Sequence, residues 1–142
     1  LVTLTLLSAS NMIVYASFSD YLVDNKDGTI HDLLTGLIWQ KSEGGKMRWE
    51  DANYYCDELN LTEKQDWRLP NINELRSLVD GSRFNPALDR LKFPDVKASL
   101  YWSSTTSPSR NEIAWFISFV LGNANSYKKQ YSYFVRCVRG GY

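Results

Sequence analysis

Hydrophobic positions along the chain change period several times, and each change predicts an element. Leu1 to Ser19 carries no charge and is apolar at its start and again around Met12–Ala16. Two short apolar-bearing segments follow, Tyr21-Leu22-Val23 and Ile30-His31-Asp32, with Asp27-Gly28 between them, which reads as a β-hairpin. A second turn, Leu34-Thr35-Gly36, leads into a strand at Leu37-Ile38-Trp39-Gln40. The period then lengthens: Trp49, Ala52, Cys56 and Leu59 fall on one helical face, with Glu50 and Asp51 where the helix dipole favours acids. A second helix is predicted from Asn71, an N-cap with Glu74 completing a capping box, through the stripe Ile72, Leu75, Leu78 and Val79 to Gly81. Residues 82–100 show no period and read as a long loop anchored by Phe84, Leu88, Leu91 and Phe93. From Tyr101 the pattern is β: a strand at 101–105, a turn at 107–111, an aromatic strand at 114–119 and a turn at Gly122-Asn123-Ala124-Asn125. Ser126-Tyr127 and residues 131–139 complete the reading as an antiparallel pair.

Composition narrows the function classes. The 142 residues are 44% hydrophobic and 14% aromatic, which suits a packed core and argues against disorder. Sixteen Lys and Arg balance sixteen Asp and Glu, so the chain is no wholly basic nucleic-acid binder. One His leaves almost no material for a His-built metal site, and two Cys exclude a Cys-only zinc site. The balance is uneven along the chain: after residue 96 only Glu112 opposes Lys97, Arg110, Lys128, Lys129, Arg136 and Arg139. Gathered on one face, these cations would attract an anionic polymer or surface; scattered, they are ordinary solvated charges.

The uncharged opening, with Val14 and Ala16 at the small-residue positions, fits a secretory signal cleaved after Ala16. Residues 1–16 are therefore expected to be a truncated signal peptide and residues 17–142 a single domain, exported to the periplasm, cell surface or medium. The rival is an uncleaved membrane anchor, which its Ser, Thr and Asn content weakens; no stable membrane insertion is expected after cleavage. In an oxidising compartment the even pair Cys56 and Cys137 reads as a disulfide, the alternative being two separate buried thiols. The acidic turn at 24–29 is not an EF-hand, because alignment on Gly28 puts Val23 and Leu34 where the essential carboxylates belong.

Four segments carry a resemblance. Residues 24–41 (DNKDGTIHDLLTGLIWQK), 67–75 (WRLPNINEL), 101–105 (YWSST) and 133–141 (YFVRCVRGG) resemble, in order, the Lcl C-terminal domain family of bacterial surface and secreted proteins. The resemblance implies a C-type-lectin-like α+β fold, with two helices packed on antiparallel sheet and hairpins and the termini brought together. It also implies one disulfide from the first helix to the final strand, where Cys56 and Cys137 stand. Calcium-dependent lectins use a Glu-Pro-Asn or Gln-Pro-Asp loop followed by Trp-Asn-Asp. Here Asn85-Pro86 lacks the preceding acid or amide and Ser103-Ser104 follows Trp102, so no metal and no cofactor is expected.

The function expected is an exported, non-catalytic binding or adhesion module. Its candidate ligand residues are Arg110, Asn123, Asn125, Tyr127, Lys128, Lys129 and Tyr131 on a late basic hairpin. Tyr and Asn supply stacking and adaptable hydrogen bonds, and lysines meet sulfate or carboxylate as point charges, so an anionic extracellular glycan is the expected ligand class. The alternative is a structural or assembly domain binding a protein partner through an exposed apolar patch. Catalysis is not expected: His31, the single histidine, reads as solvated beside Asp32 in the first hairpin, and the carboxylates show no diagnostic spacing.

Overall fold

The computed structural model describes residues 16–141, so the signal-peptide expectation for residues 1–16 lies, but for Ala16, outside the described residues. The architecture is α+β. Three short strands, β1 (Leu22–Asp24), β2 (Thr29–Asp32) and β3 (Ile38–Gln40), precede β4 (Lys46–Arg48) and helix α1 (Trp49–Asp57). Helix α2 (Ile72–Ser77) and a long loop lead to β5 (Leu100–Ser107), β6 (Arg110–Ser118), β7 (Asn123–Lys128), β8 (Ser132–Phe134) and β9 (Val138–Arg139). One sheet has the order β1-β2-β3-β9 and the other β4-β8-β5-β6-β7. The first and last strands thus share a sheet, as the resemblance implies.

Local chemistry explains the early turns. The Asp27 carboxylate accepts from the Thr29 N–H and hydroxyl and closes the first hairpin. Buried Asp32 accepts from the Leu34 N–H at 2.9 Å and the Thr35 hydroxyl at 2.7 Å, which turns the chain into β3. At α2 the capping box forms: Asn71 accepts from the Glu74 N–H, and Glu74 accepts from the Asn71 N–H. The Arg68 guanidinium grips the same Glu74 carboxylate with two bonds, at 2.7 and 2.6 Å, and donates to the Gly140 carbonyl. One fork therefore ties the start of α2 to the chain after β9.

Burial opposes ionisation of Glu74, but the Arg68 fork and the Asn71 N–H outweigh it and hold the carboxyl below its ordinary value. A carboxyl lowered on folding contributes stability above the unfolded pKa, and that contribution is lost as pH falls through the folded one. Glu74→Gln should therefore lower stability at pH 7 and flatten the loss of stability below about pH 4.5. Urea denaturation of both proteins across pH 3–7 checks this; parallel curves would refute it.

The core forms two clusters. Leu22, Ile30, Trp39, Leu75, Leu78, Phe93, Tyr101 and Ile117 pack between the first sheet, α2 and the long loop. Ala52, Cys56, Trp67, Trp102, Phe116, Val135 and Cys137 pack under α1. The Cys56–Cys137 disulfide lies in the second cluster and links α1 to the segment entering β9.

Of the four expected anchors of the long loop, Leu88 and Phe93 are buried, joined by Ala87, whereas Phe84 and Leu91 are exposed and anchor nothing. The buried carboxylates Asp80 and Asp89 fold that loop inward by accepting from Ser82, Arg83 and the Leu91 N–H. Helix α2 stops at Ser77, before Gly81, because Leu78 tightens into a turn and the Asp80 N–H is taken by the Ala87 carbonyl. Asn123 and Asn125 lie in β7, since the turn comes earlier, around Leu121-Gly122. β8 pairs with β4, a strand the pattern does not show, and with β5, while β9 pairs with β3. The chain leaves β7 and crosses the sheet because Tyr133 finds its partners there, its ring tilted against Trp102 at 4.4 Å and edge-on to Phe116 at 5.1 Å.

Candidate functional site

The β6–β7 hairpin distributes the candidate residues by strand alternation. The register places Asn123, Asn125 and Tyr127 opposite Ser118, Phe116 and Ala114 on one face, and Lys128 opposite Ile113 on the other. Beyond Lys128 the chain is fixed by main-chain bonds: the Lys129 N–H donates to the Glu112 carbonyl at 2.9 Å, and the Trp49 N–H donates to the Lys129 carbonyl at 3.1 Å. This brings the start of α1 against the end of the hairpin. The Lys129 ammonium lies 3.8 Å over the Trp49 ring, a cation–π contact that restrains a flexible side chain.

Between these elements lies an open groove of about 460 Å³, lined by Arg110, Asn111, Lys128, Lys129 and Gln130 together with Glu50 and Glu112. A smaller recess of about 260 Å³ continues along α1 past Arg48, Glu50 and Asp51. Arg110 is paired with Glu112 at 2.5 Å. The backbone N–H of Glu112 itself and then Arg110 hold that carboxyl below its ordinary range, so Glu112 places a negative charge beside the lysines of the groove.

An aromatic ledge adjoins. The Tyr127 and Tyr131 rings lie 4.8 Å apart and both are partly exposed. Tyr127 raises the Tyr131 phenol above its ordinary value. Burial, then Tyr127 and Tyr131, raise the Tyr133 phenol likewise. The Tyr131 and Tyr133 hydroxyls are therefore neutral at physiological pH and can both donate and accept.

The structure thus brings Arg110, Lys128 and Lys129 to one groove and Tyr127 and Tyr131 to the adjoining ledge, with Asn125 along the same strand face as Tyr127. Asn123 sits at the far end of β7, five strand residues or roughly 17 Å from Lys128. Glu50, Asn111, Glu112 and Gln130 are the lining residues that sequence reading misses, as is Trp49 beneath Lys129. The acidic start of α1 is visible in sequence, but its proximity to a hairpin more than fifty residues later is not.

The late basic surplus is also smaller than its count. Arg136 is fully buried, donating to the carbonyls of Gln40 and Lys41 and to Asp95. Arg139 pairs with Asp66 at 2.7 Å. Among the described residues no group of three or more His, Cys, Asp or Glu is placed to hold a metal ion.

The Lcl C-terminal domain, as a family profile, matches residues 28–139, most of the chain and all four motif segments in whole or in part. The chain belongs to the Lcl C-terminal domain family. No curated protein matches it. Membership accords with a bacterial surface-associated domain, and among the described residues of this Lcl C-terminal domain no helix is long and apolar enough to cross a membrane. The family match ends just past the Cys137 bridge and begins at the Gly28 turn, so groove, ledge and disulfide all lie within it.

Proposed function

We propose that this Lcl C-terminal domain is an exported, non-catalytic binding and adhesion module whose ligand is an extracellular anionic glycan. The observation that carries the reading is the convergence of Arg110, Lys128 and Lys129 on one groove beside the Tyr127–Tyr131 ledge. Lys128 and Lys129 meet sulfate or carboxylate groups as point charges. Asn111 and Gln130 exchange hydrogen bonds with sugar hydroxyls, and the tyrosine faces stack on sugar rings. Glu50 and Glu112 act as the selective element, repelling a polyanion whose charges do not fall between them.

Engagement of the carboxylates supports a non-catalytic role. Asp24 is held by Lys41, Asp32 by its turn, Glu74 by Arg68 and Asp80 by Arg83. His31 sits within β2, paired with Val23 and Ile38 on neighbouring strands.

The test is binding of sulfated polysaccharides to the chain and to its Lys128→Ala/Lys129→Ala variant across a salt series. The variant should bind about tenfold more weakly and with a flatter salt dependence, while calcium and chelator change nothing. Equal affinity and equal salt dependence would refute the assignment. A second reading, an assembly domain for a protein partner, draws on the exposed apolar side chains Phe84, Leu91 and Leu121.

A further inference from the structure

The two ends of the β6–β7 hairpin differ in chemistry. The groove lies at the Arg110 end. The other end, nine strand residues or roughly 25 Å away, carries large apolar side chains in open solvent. Phe84 is 74% exposed, Leu91 85% and Leu121 71%. These sit on adjoining loops: the Asn85 N–H donates to the Val120 carbonyl at 2.7 Å, and Arg90 donates to the Asn85 carbonyl at 3.3 Å. Next to Phe84 a shallow recess of about 270 Å³ runs over Asn85 and Pro86 to Arg90.

Charge around these tips is sorted by sign. The carboxylates of the segment, Asp80 and Asp89, are buried and face inward, accepting from Ser82, the Leu91 N–H and Arg83. Arg76, Arg83 and Arg90 are exposed, and Lys92 is half-buried. Within 81–92 and 120–123 no exposed residue is acidic. A solvent-facing surface that pairs protruding Phe and Leu side chains with cations, and withdraws its acids, complements a boundary that is negative outside and apolar beneath. A protein would have to offer matched pockets to three separate tips; a bilayer accommodates protruding side chains without prior shape.

We infer that the Phe84, Leu91 and Leu121 tips, flanked by Arg83, Arg90 and Lys92, dock this domain peripherally on the anionic face of a lipid bilayer. Apolar tips enter the headgroup boundary while the guanidinium and ammonium groups remain among lipid phosphates. The contact is reversible and adds no membrane-spanning element. It also leaves the groove at the opposite end of the hairpin free, so its success or failure is independent of glycan binding there.

Co-sedimentation of the full chain with phosphatidylglycerol–phosphatidylcholine vesicles, against phosphatidylcholine alone, tests the inference. The chain should favour the anionic vesicles by about tenfold or more, less so at high salt. Phe84→Ser/Leu91→Ser/Leu121→Ser should lose that partitioning, and Arg90→Glu/Lys92→Glu should reduce it by about tenfold or more. Residues 1–19 are identical in every variant, so their apolar character produces no difference between them. A Phe84→Trp variant supplies a local readout that needs no loss of binding: lipids brominated in their acyl chains should quench its added fluorescence. Unchanged partitioning of the triple variant, equal binding to neutral vesicles, or an unquenched Trp at position 84 would each overturn the inference. So would vesicles ignored while the triple variant abolishes self-association or capture of a protein, which would assign the tips to a protein interface.

Discussion

Replacing both bridge cysteines, Cys56→Ala/Cys137→Ala, should lower the unfolding free energy by about 4 kcal/mol and the melting temperature by on the order of 15 °C. The bridge closes a loop with a sequence separation of 81, and its main effect is to restrict the unfolded chain. For a closure of this length loop entropy amounts to about 4–5 kcal/mol, a large part of a typical total stability of about 5–15 kcal/mol. The bridge also has a native-state role. It joins α1 to the segment before β9, which also meet through the side chains of the second core cluster and through Gln40, bonded to both the Tyr55 hydroxyl and the Cys137 N–H. Both cysteines are fully buried among Ala52, Trp67 and Trp102, so alanine leaves small apolar gaps and no unpaired polar group. Urea denaturation of the oxidised chain and the double variant measures the difference directly. A change below about 1 kcal/mol would show that packing alone holds α1 in place.

Arg136→Ala is expected to cost about 3–5 kcal/mol. The side chain is fully buried, and its guanidinium makes three kinds of contact at once. One terminal nitrogen donates to the Gln40 and Lys41 carbonyls at the end of β3, the other donates to Asp95, and the plane lies 4.7 Å from the centre of the Phe93 ring. Arg136 therefore braces β3, the long loop and the segment before β9 from inside. Alanine would leave two main-chain carbonyls without their partner and a cavity against Phe93. Arg136→Lys should recover little, because an ammonium cannot span two carbonyls and a carboxylate in the plane of a fork. Asp95→Asn should cost about 1–2 kcal/mol, since Asp95 is about one-third exposed and the carbonyl bonds to Arg136 survive its loss. Chemical denaturation of the three variants orders them; equal costs for Arg136→Ala and Asp95→Asn would contradict the brace.

Arg136 also shows why charge counting misleads. In sequence it is one of six cations opposed by a single acid, while in space it serves the interior and Arg139 serves Asp66. The same holds in reverse for Phe84 and Leu91. An apolar residue in an aperiodic loop reads as an anchor by default, yet burial is decided by which neighbours reach the loop. Here Asp80 and Asp89 draw their segment inward through hydrogen bonds, and Phe84 and Leu91 are left outside.

Sequence alone determined what depends on neighbours a few residues away. The Asp27-Gly28 and Leu34-Thr35-Gly36 turns, the capping box of Asn71 and Glu74, the α1 face of Ala52 and Cys56, and the aromatic strand β6 all follow from short-range sterics, hydrogen bonding and period. Parity and compartment were enough to expect the Cys56–Cys137 bridge. Only the tertiary structure decided which strands pair, that β8 inserts between β4 and β5, that Arg68 reaches the Gly140 carbonyl, and that α1 meets Lys129. These are contacts between residues far apart in the chain, whose free energy comes from packing and pairing that no local window contains. The groove, the ledge and the apolar tips are products of that second kind of contact, which is why residue types pointed toward them but only the fold could assemble them.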